Sequence, residues 1–248
     1  MDCSKCGKKN LWNQESKETG ICWLCRTGQT DSLGDESVGL IATDPPWKLA
    51  GGGKFLLAAS YPLVPVKDIA EILADGLRVL KPGAHLYTFA PCGVEFFEVV
   101  DEFRAQGWRP VRGPLAWDKS VHRGLGAYRN GFEPVLVWSK GASRGFPGPP
   151  CKHSSLLRGK GINVRTAKSI ETYRTFIEMS SNPGELIVDP FCGSNPLEAA
   201  CRFFPDRRWQ AADILTPEQV SEDVDGRQLP NKLGLWNPKG QRGLEVGA

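Results

Sequence analysis

The residues Asp44-Pro45-Pro46-Trp47 bring a carboxylate, exposed backbone carbonyls and an indole to one point of the chain. They follow the apolar run Val38-Gly39-Leu40-Ile41-Ala42-Thr43, which reads as a buried strand stopping at the rim of a sheet. Neither proline has an N–H to give to a ladder, so the chain must leave the sheet there with its carbonyls unpaired. Such a corner can hold a flat base that carries an exocyclic amine: acceptors for its two N–H bonds and a ring to stack on. Taken alone, the four residues also fit an ordinary Asp-Pro turn after a strand.

A second apolar run, Gly184-Glu185-Leu186-Ile187-Val188, again stops at Asp-Pro and continues as Asp189-Pro190-Phe191-Cys192-Gly193-Ser194. Leu197 to Arg202 then look helical. A strand, a tight Gly/Ser turn and a helix N-terminus form the usual cradle for an adenosine-containing cofactor in open α/β sheets. Asn195-Pro196 closes the turn; Asn tolerates left-handed backbone angles and Pro suits a first helical position. Further on, Arg208 to Asp213 reads as the next strand. It ends in an acid about two dozen residues after Asp189, near the separation at which a ribose-binding carboxylate follows a Gly-rich turn.

These two motifs resemble the catalytic tetrapeptide and the S-adenosylmethionine (SAM) motif of DNA amino-methyltransferases, which methylate the amino nitrogen of adenine or cytosine. Where the family pattern Asp-Pro-Phe-x-Gly-Ser-Gly ends in its last Gly, usually followed by Thr, this chain has Asn195-Pro196. The catalytic motif precedes the cofactor motif, as in the permuted beta arrangement of that family. The resemblance covers roughly 38–214. It implies an α/β fold, a Rossmann-like methyltransferase sheet with helices on both faces, over 31–215. It also implies transfer of a methyl group from SAM to the N6 amine of adenine in DNA, with Asp44, Pro45, Pro46 and Trp47 catalytic. Lys168, Asp189, Pro190, Phe191, Cys192, Gly193, Ser194, Asn195 and Asp213 are the implied cofactor residues. Lys168 enters through Thr166-Ala167-Lys168-Ser169, which resembles the family's Lys-Pro segment beside the cofactor. Aspartate rather than serine at position 44 favours adenine over cytosine. Gly126 to Glu133 resembles the substrate-side loop of the RNA adenosine methylase family, which keeps RNA open as the substrate. A non-catalytic nucleic-acid-binding relative is the remaining alternative, with Asn195 and Ser169 in its favour.

Between the motifs, Ile69, Ile72, Leu73, Leu77 and Leu80 recur at helical spacing, as do Phe96, Phe97, Val100 and Phe103. Strands are expected at Ala84–Phe89, Val111–Trp117 and Pro134–Trp138, with a helix ending at Met179. His85 falls inside an apolar strand and reads as a satisfied core residue, Trp117 and Trp138 as core aromatics, and Cys192 as packing.

Over 1–30, Cys3-x-x-Cys6 and Cys22-x-x-Cys25 have the two-knuckle spacing of a tetrahedral zinc site. A structural Zn2+ held by Cys3, Cys6, Cys22 and Cys25 is the expectation, with disulfides or a redox pair as the alternative. A unit this short folds only with its metal. It serves either as structure or as a nucleic-acid contact. The scattered remaining cysteines and the absence of an apolar leader favour a cytoplasmic protein of bacterial, archaeal or phage origin, and no run reaches membrane-spanning length.

Net charge is only +3 over 248 residues, so charge distribution matters more than its sum. The stretch 140–165 is basic and rich in Gly and Pro, and reads as a surface recognition loop at the place where the permuted family reads its target. Arg144, Lys152, Arg158, Lys160 and Arg165 are its expected DNA contacts, with Lys54, Lys119, His122, Arg123 and Arg129 on other loops. A solvated linker is the plain alternative. The loop is short for a sequence reader, which points to a homodimer or a partner subunit. The tail 216–248 is polar.

Overall fold

The computed structural model describes residues 33–48, 64–123, 130–159 and 168–211; for 120–123 and 130 it describes the backbone alone. Strands β1 (Val38–Thr43), β2 (Leu80–Phe89), β3 (Arg109–Pro110), β4 (Leu115–Arg123), β5 (Asn130–Ser139), β6 (Leu156–Arg158), β7 (Leu186–Asp189) and β8 (Arg208–Ala211) form one mixed sheet. Its order is β6-β4-β5-β2-β1-β7-β8, with β3 also on β5. β5 alone runs against its neighbours β2, β3 and β4. The helices are α1 (Val66–Ala74), α2 (Gly76–Val79), α3 (Glu95–Ala105), α4 (Ile170–Ser180) and α5 (Pro196–Cys201).

β1 is buried along its whole length, because helices cover both faces of the sheet at this point. On one face, α1 lays Val66, Ile69, Ala70 and Leu73 onto Ile41, Leu86 and Leu136, beside Phe103 of α3. On the other, α4 lays Tyr173, Phe176 and Ile177 onto Tyr87, Phe89, Val135 and Ile187, beside Leu197 and Ala200 of α5. Each of the larger side chains among these contributes about 2 kcal/mol on leaving water. α4 stops where Ser181 turns extended ahead of Asn182-Pro183-Gly184, with Gly184 at φ 79°.

The connection from β1 through α1 and α2 leads to β2 on one side. The connection from β7 through α5 leads to β8 on the other. Because β1 and β7 are parallel neighbours, with Ile41 opposite Val188, the two crossovers diverge and leave a crevice beyond their C-terminal ends.

His85 is fully buried, its Nδ1 2.9 Å from Ser180 Oγ and its Nε2 2.8 Å from Ser143 Oγ, so both ring nitrogens are satisfied as expected of a core histidine. Burial, aided by the nearby Arg144 charge, pulls its pKa down to about 4. Between that value and the ordinary 6.5, the unfolded chain binds a proton that the fold rejects, so stability rises with pH through this window. Urea unfolding should show about 2 kcal/mol lost between pH 7.5 and pH 5, and a flatter profile in His85→Gln.

Candidate active site

Leaving β1, the chain is fixed by backbone bonds in which the prolines serve only as acceptors. The Pro46 carbonyl accepts from Val64 N–H at 2.8 Å, and Lys48 N–H donates to Val64 O at 2.9 Å. The Pro45 carbonyl accepts from Trp47 N–H at 3.0 Å, which leaves its second lone pair for another donor. The Trp47 indole is tethered as well, since Nε1–H donates to Phe89 O at 3.0 Å. Its ring lies 6.5 Å from that of Phe103 and stays only partly buried.

At the end of β7, the fully buried Asp189 accepts from Thr43 Oγ1 at 2.7 Å, from Phe191 N–H at 3.1 Å and from Tyr173 O–H at 3.1 Å. Thr43 immediately precedes Asp44, so this carboxylate binds the first motif to the second. Asp189, expected beside the cofactor, is thus bonded within the protein on these sides. Burial, and then the Asp189 charge, hold the Tyr173 phenol well above its usual range, so it stays a neutral donor.

The turn that follows is held by Asn195 in the left-handed region at φ 53°. Its Oδ1 accepts from Glu198 N–H at 3.2 Å, while its Nδ2 donates to Glu198 Oε2 at 3.1 Å, with Pro196 opening α5. Asn195-Pro196 therefore builds a capped, left-handed corner of the kind expected of it. Gly193 adopts φ 48°, and a Cβ there would meet nothing within 4 Å, so open space lies beside the turn. Phe191 and Cys192 are buried beneath it. Asn195→Val, a β-branched residue without a cap acceptor, should cost about 2–3 kcal/mol in thermal or urea unfolding, whereas Asn195→Gly should cost well under half of that.

Across the crevice, Asp44 heads a row of alternating charges. Lys168 Nζ lies 2.8 Å from Asp44 Oδ2 and 2.7 Å from Glu133 Oε2, and Lys119 pairs with Glu133 from the far side. Lys168 is buried, its ammonium 4.9 Å from the Phe89 ring centre and 5.4 Å from that of Trp117. Burial alone would lower the lysine pKa, but Asp44 and Glu133 outweigh it and raise it, so Lys168 stays charged. Burial likewise works against Glu133, where Lys168 and Lys119 prevail and its pKa is lowered. Asp44 goes the other way: burial raises its pKa, only partly offset by Lys168, while Glu133 raises it further. Among the described residues Asp44 Oδ1 has no protein partner, and 29% of the side chain stays exposed.

Sequence reasoning did not assign Glu133 to the site. The available signal was a lone acid in alternation with Val135 and Val137, which puts a charge on the buried face of β5. Lys168, expected at the cofactor, sits on the Asp44 carboxylate.

The expected recognition loop needs correction. Its first half crosses the N-terminal ends of the parallel strands, opposite Asp44. Arg144 N–H donates to Gly83 O at 3.0 Å. The Arg144 guanidinium donates to both oxygens of Glu185 at 2.8 Å and to the carbonyls of Gly39 at 3.1 Å and Ser180 at 2.9 Å. Burial works against Glu185, but Arg144, the Asn182 N–H and Lys81 bring its pKa down to about 2. Lys152 pairs with Glu178 near the C-terminal end of α4, as does His153 at 2.7 Å. Arg144 is thus an internal anchor rather than a DNA contact, and Lys152 is paired away from the crevice. Lys119, expected on a mobile loop, is built into the charge row of β4 and β5. Arg158 is exposed on β6, in register with Asp118 of β4. His122 and Arg123 fall in β4, where the backbone alone is described. Lys54, Arg129, Lys160, Arg165, Asp213 and the cysteines Cys3, Cys6, Cys22 and Cys25 lie outside the described residues. Cys192, Trp117 and Trp138 are buried, as expected of packing residues.

No family model matches the chain. It is 24% identical over 197 residues to the DNA adenine methyltransferase YhdJ of Escherichia coli K12, covering 64% of this chain and 66% of that protein. It is 25% identical over 217 residues to the type II methyltransferase M.EcaI of Enterobacter cloacae, covering 85% of this chain and 38% of that protein. The chain thus spans about two thirds of the first relative and well under half of the second. Among solved structures, the cytosine-N4-specific PvuII DNA methyltransferase superposes with a TM-score of 0.62 at 17% identity, covering 84% of this chain and 85% of that one. The M1.HpyAVI–SAM complex gives 0.56 at 22% identity, covering 79% and 91%. The fold is that of these DNA methyltransferases.

Proposed function

We propose that this chain transfers a methyl group from SAM to the N6 amine of adenine in DNA. The observation that carries this reading is the Thr43–Asp189 hydrogen bond of 2.7 Å, which joins the Asp44–Trp47 corner to the Phe191–Asn195 turn. The name of the E. coli relative supports adenine. The PvuII structure, named for the N4 of cytosine, supports a second reading in which that amine is the acceptor.

The cofactor would occupy the open space beside Gly193, lined by Phe191, Cys192, Gly193, Ser194 and Asn195; Asp213 is assigned to its ribose by spacing alone. When bound it would supply an electrophilic methyl group, giving up its sulfur–methyl bond and remaining as the neutral thioether. The chain's own residues then act on the base. Trp47, its indole edge held by Phe89 O, offers a ring face for stacking. Asp44 Oδ1 accepts one amine N–H and the free lone pair of the Pro45 carbonyl accepts the other. These bonds favour a pyramidal nitrogen and localise a lone pair otherwise shared with the ring. As nitrogen gains its bond to the methyl carbon, it becomes cationic until it loses a proton, which Asp44 takes and returns to water. Asp189 and Lys168 act here by positioning.

Arg158, Lys54, His122, Arg123, Arg129, Lys160 and Arg165 are the proposed DNA contacts; Lys119, first expected among them, is held by Glu133. A zinc ribbon at Cys3, Cys6, Cys22 and Cys25 is proposed on their spacing, and a second copy or partner subunit would widen a small recognition surface. No helix among the described residues is long and apolar enough to cross a membrane; a bacterial cytoplasm suits a DNA substrate.

Labelled methyl transfer to duplex DNA, followed by digestion to nucleosides, tests the reading. N6-methyladenine supports it and N4-methylcytosine selects the second. Label in single-stranded RNA alone, or nucleic-acid binding without cofactor binding, would overturn both. Metal analysis should find about one zinc per chain, lost on chelation together with the order of the N-terminal unit; a zinc-free, stably folded protein would remove the ribbon.

A further inference from the structure

We propose that Glu133 is a positioning residue that sets the proton affinity of Asp44 through the lysine they share. This rests on the function proposed above and concerns the same site.

The geometry is specific. One buried ammonium serves two carboxylates at nearly equal distances, 2.8 Å to Asp44 and 2.7 Å to Glu133. Facing Lys168 alone, Asp44 would be strongly neutralised: a weak acceptor, reluctant to take the proton that methylation expels from the amine. Glu133 draws off part of the lysine charge and adds its own negative field. Lys119, on the far side, keeps Glu133 ionised, so that Glu133 does not take the proton meant for Asp44. The Phe89 and Trp117 rings hold the ammonium between the two acids. Asp44 is thereby both ionised and basic, which suits a group that accepts an N–H and then a proton.

The other ionisable groups nearby come from every element around the crevice. Lys168 comes from the segment just ahead of α4, the neutral Tyr173 from the first turn of α4, Glu133 from β5 and Lys119 from β4. Asp189, already bonded to Thr43 and Tyr173, comes from β7. Cys92 comes from the loop after β2, where burial raises its thiol pKa and keeps it neutral. Glu133 is the acid among them that shares a lysine with Asp44.

The test is a carboxyl 13C NMR titration of cofactor-free protein, with the Asp44 signal assigned by its loss in Asp44→Asn. In Glu133→Gln, close to isosteric, the Asp44 midpoint should fall by about one pH unit, a tenfold loss of proton affinity. Glu133→Asp, whose shorter carboxylate draws back from Lys168, should lower it in the same direction by less. The acidic limb of the kcat profile should move with the midpoint, while a residue that only supports the fold would leave the limb in place and lower the amplitude. An unchanged Asp44 midpoint in folded Glu133→Gln overturns the proposal. If that variant fails to fold by circular dichroism, Glu133→Asp decides: a fall supports the coupling and an unmoved midpoint overturns it. Because the titration needs no turnover, wild-type protein that never transfers a methyl group would remove the proposed function without touching this readout.

Discussion

Asp44→Ala should abolish methyl transfer, lowering kcat by on the order of 10³-fold, while leaving SAM affinity within about twofold. The two effects separate because different groups hold the two halves of the site. Asp189, Thr43 and Tyr173 fix the turn from behind, and Asn195 caps α5. None of these contacts passes through the Asp44 side chain. Nor does the variant strand a buried cation, since Lys168 keeps Glu133 at 2.7 Å. The variant should therefore fold and bind cofactor, as read by calorimetry, and fail only at the chemical step in single-turnover assays. Asp44→Asn should fail by more than 10²-fold too, because Lys168 selects the amide oxygen and turns the NH₂ toward the substrate amine, donor against donor. Transfer within tenfold of wild type in the alanine variant would take Asp44 out of the centre.

What the sequence disclosed follows from how local each signal is. Both corners of the site were legible because proline and a terminal acid end a buried strand wherever they occur. Asn195 was legible because its left-handed tolerance is intrinsic. Charge partners were not. The basic stretch from Lys140 looked like a solvated face only because Glu185, the partner of Arg144, stands far along the chain at the start of β7, and Glu178, the partner of Lys152, on α4. The three-residue edge strand β6 was hidden in the same stretch. β4 was expected to end at Trp117 but runs on to Arg123 through polar residues, paired with β5 as far as Asn130. β2 was expected from Ala84 and begins at Leu80, taking in Pro82 and Gly83. That extension depends on Gly83 at φ 70°, where a Cβ would come within 2.7 Å of Ala142 O and Arg144 N. A glycine after Lys-Pro reads as a turn until the strap that crosses it is seen.

The charge row also carries stability. Lys168→Met keeps the stem that packs on Phe89 and Trp117 and removes only the ammonium between Asp44 and Glu133. Two carboxylates then face each other with Lys119 as their remaining counter-charge. The cost should be about 3 kcal/mol at pH 8, toward the low end for a broken buried pair because both acids keep part of their surface. One of the two should relieve the repulsion by holding a proton, so its folded pKa rises above the unfolded value. The folded state of the variant then binds more protons than the unfolded chain, and its stability falls as pH rises through that raised pKa. The deficit against wild type should accordingly shrink between pH 8 and pH 5.5 in urea unfolding, opposite in sign to the His85 effect that both proteins share. Adding Glu133→Gln removes the second charge and should recover about half of the loss, a coupling that a double-mutant cycle reads directly. A deficit independent of pH, with no recovery in the double variant, would mean that Lys168 contributes through packing alone and that the ion pairs carry little of the site's order.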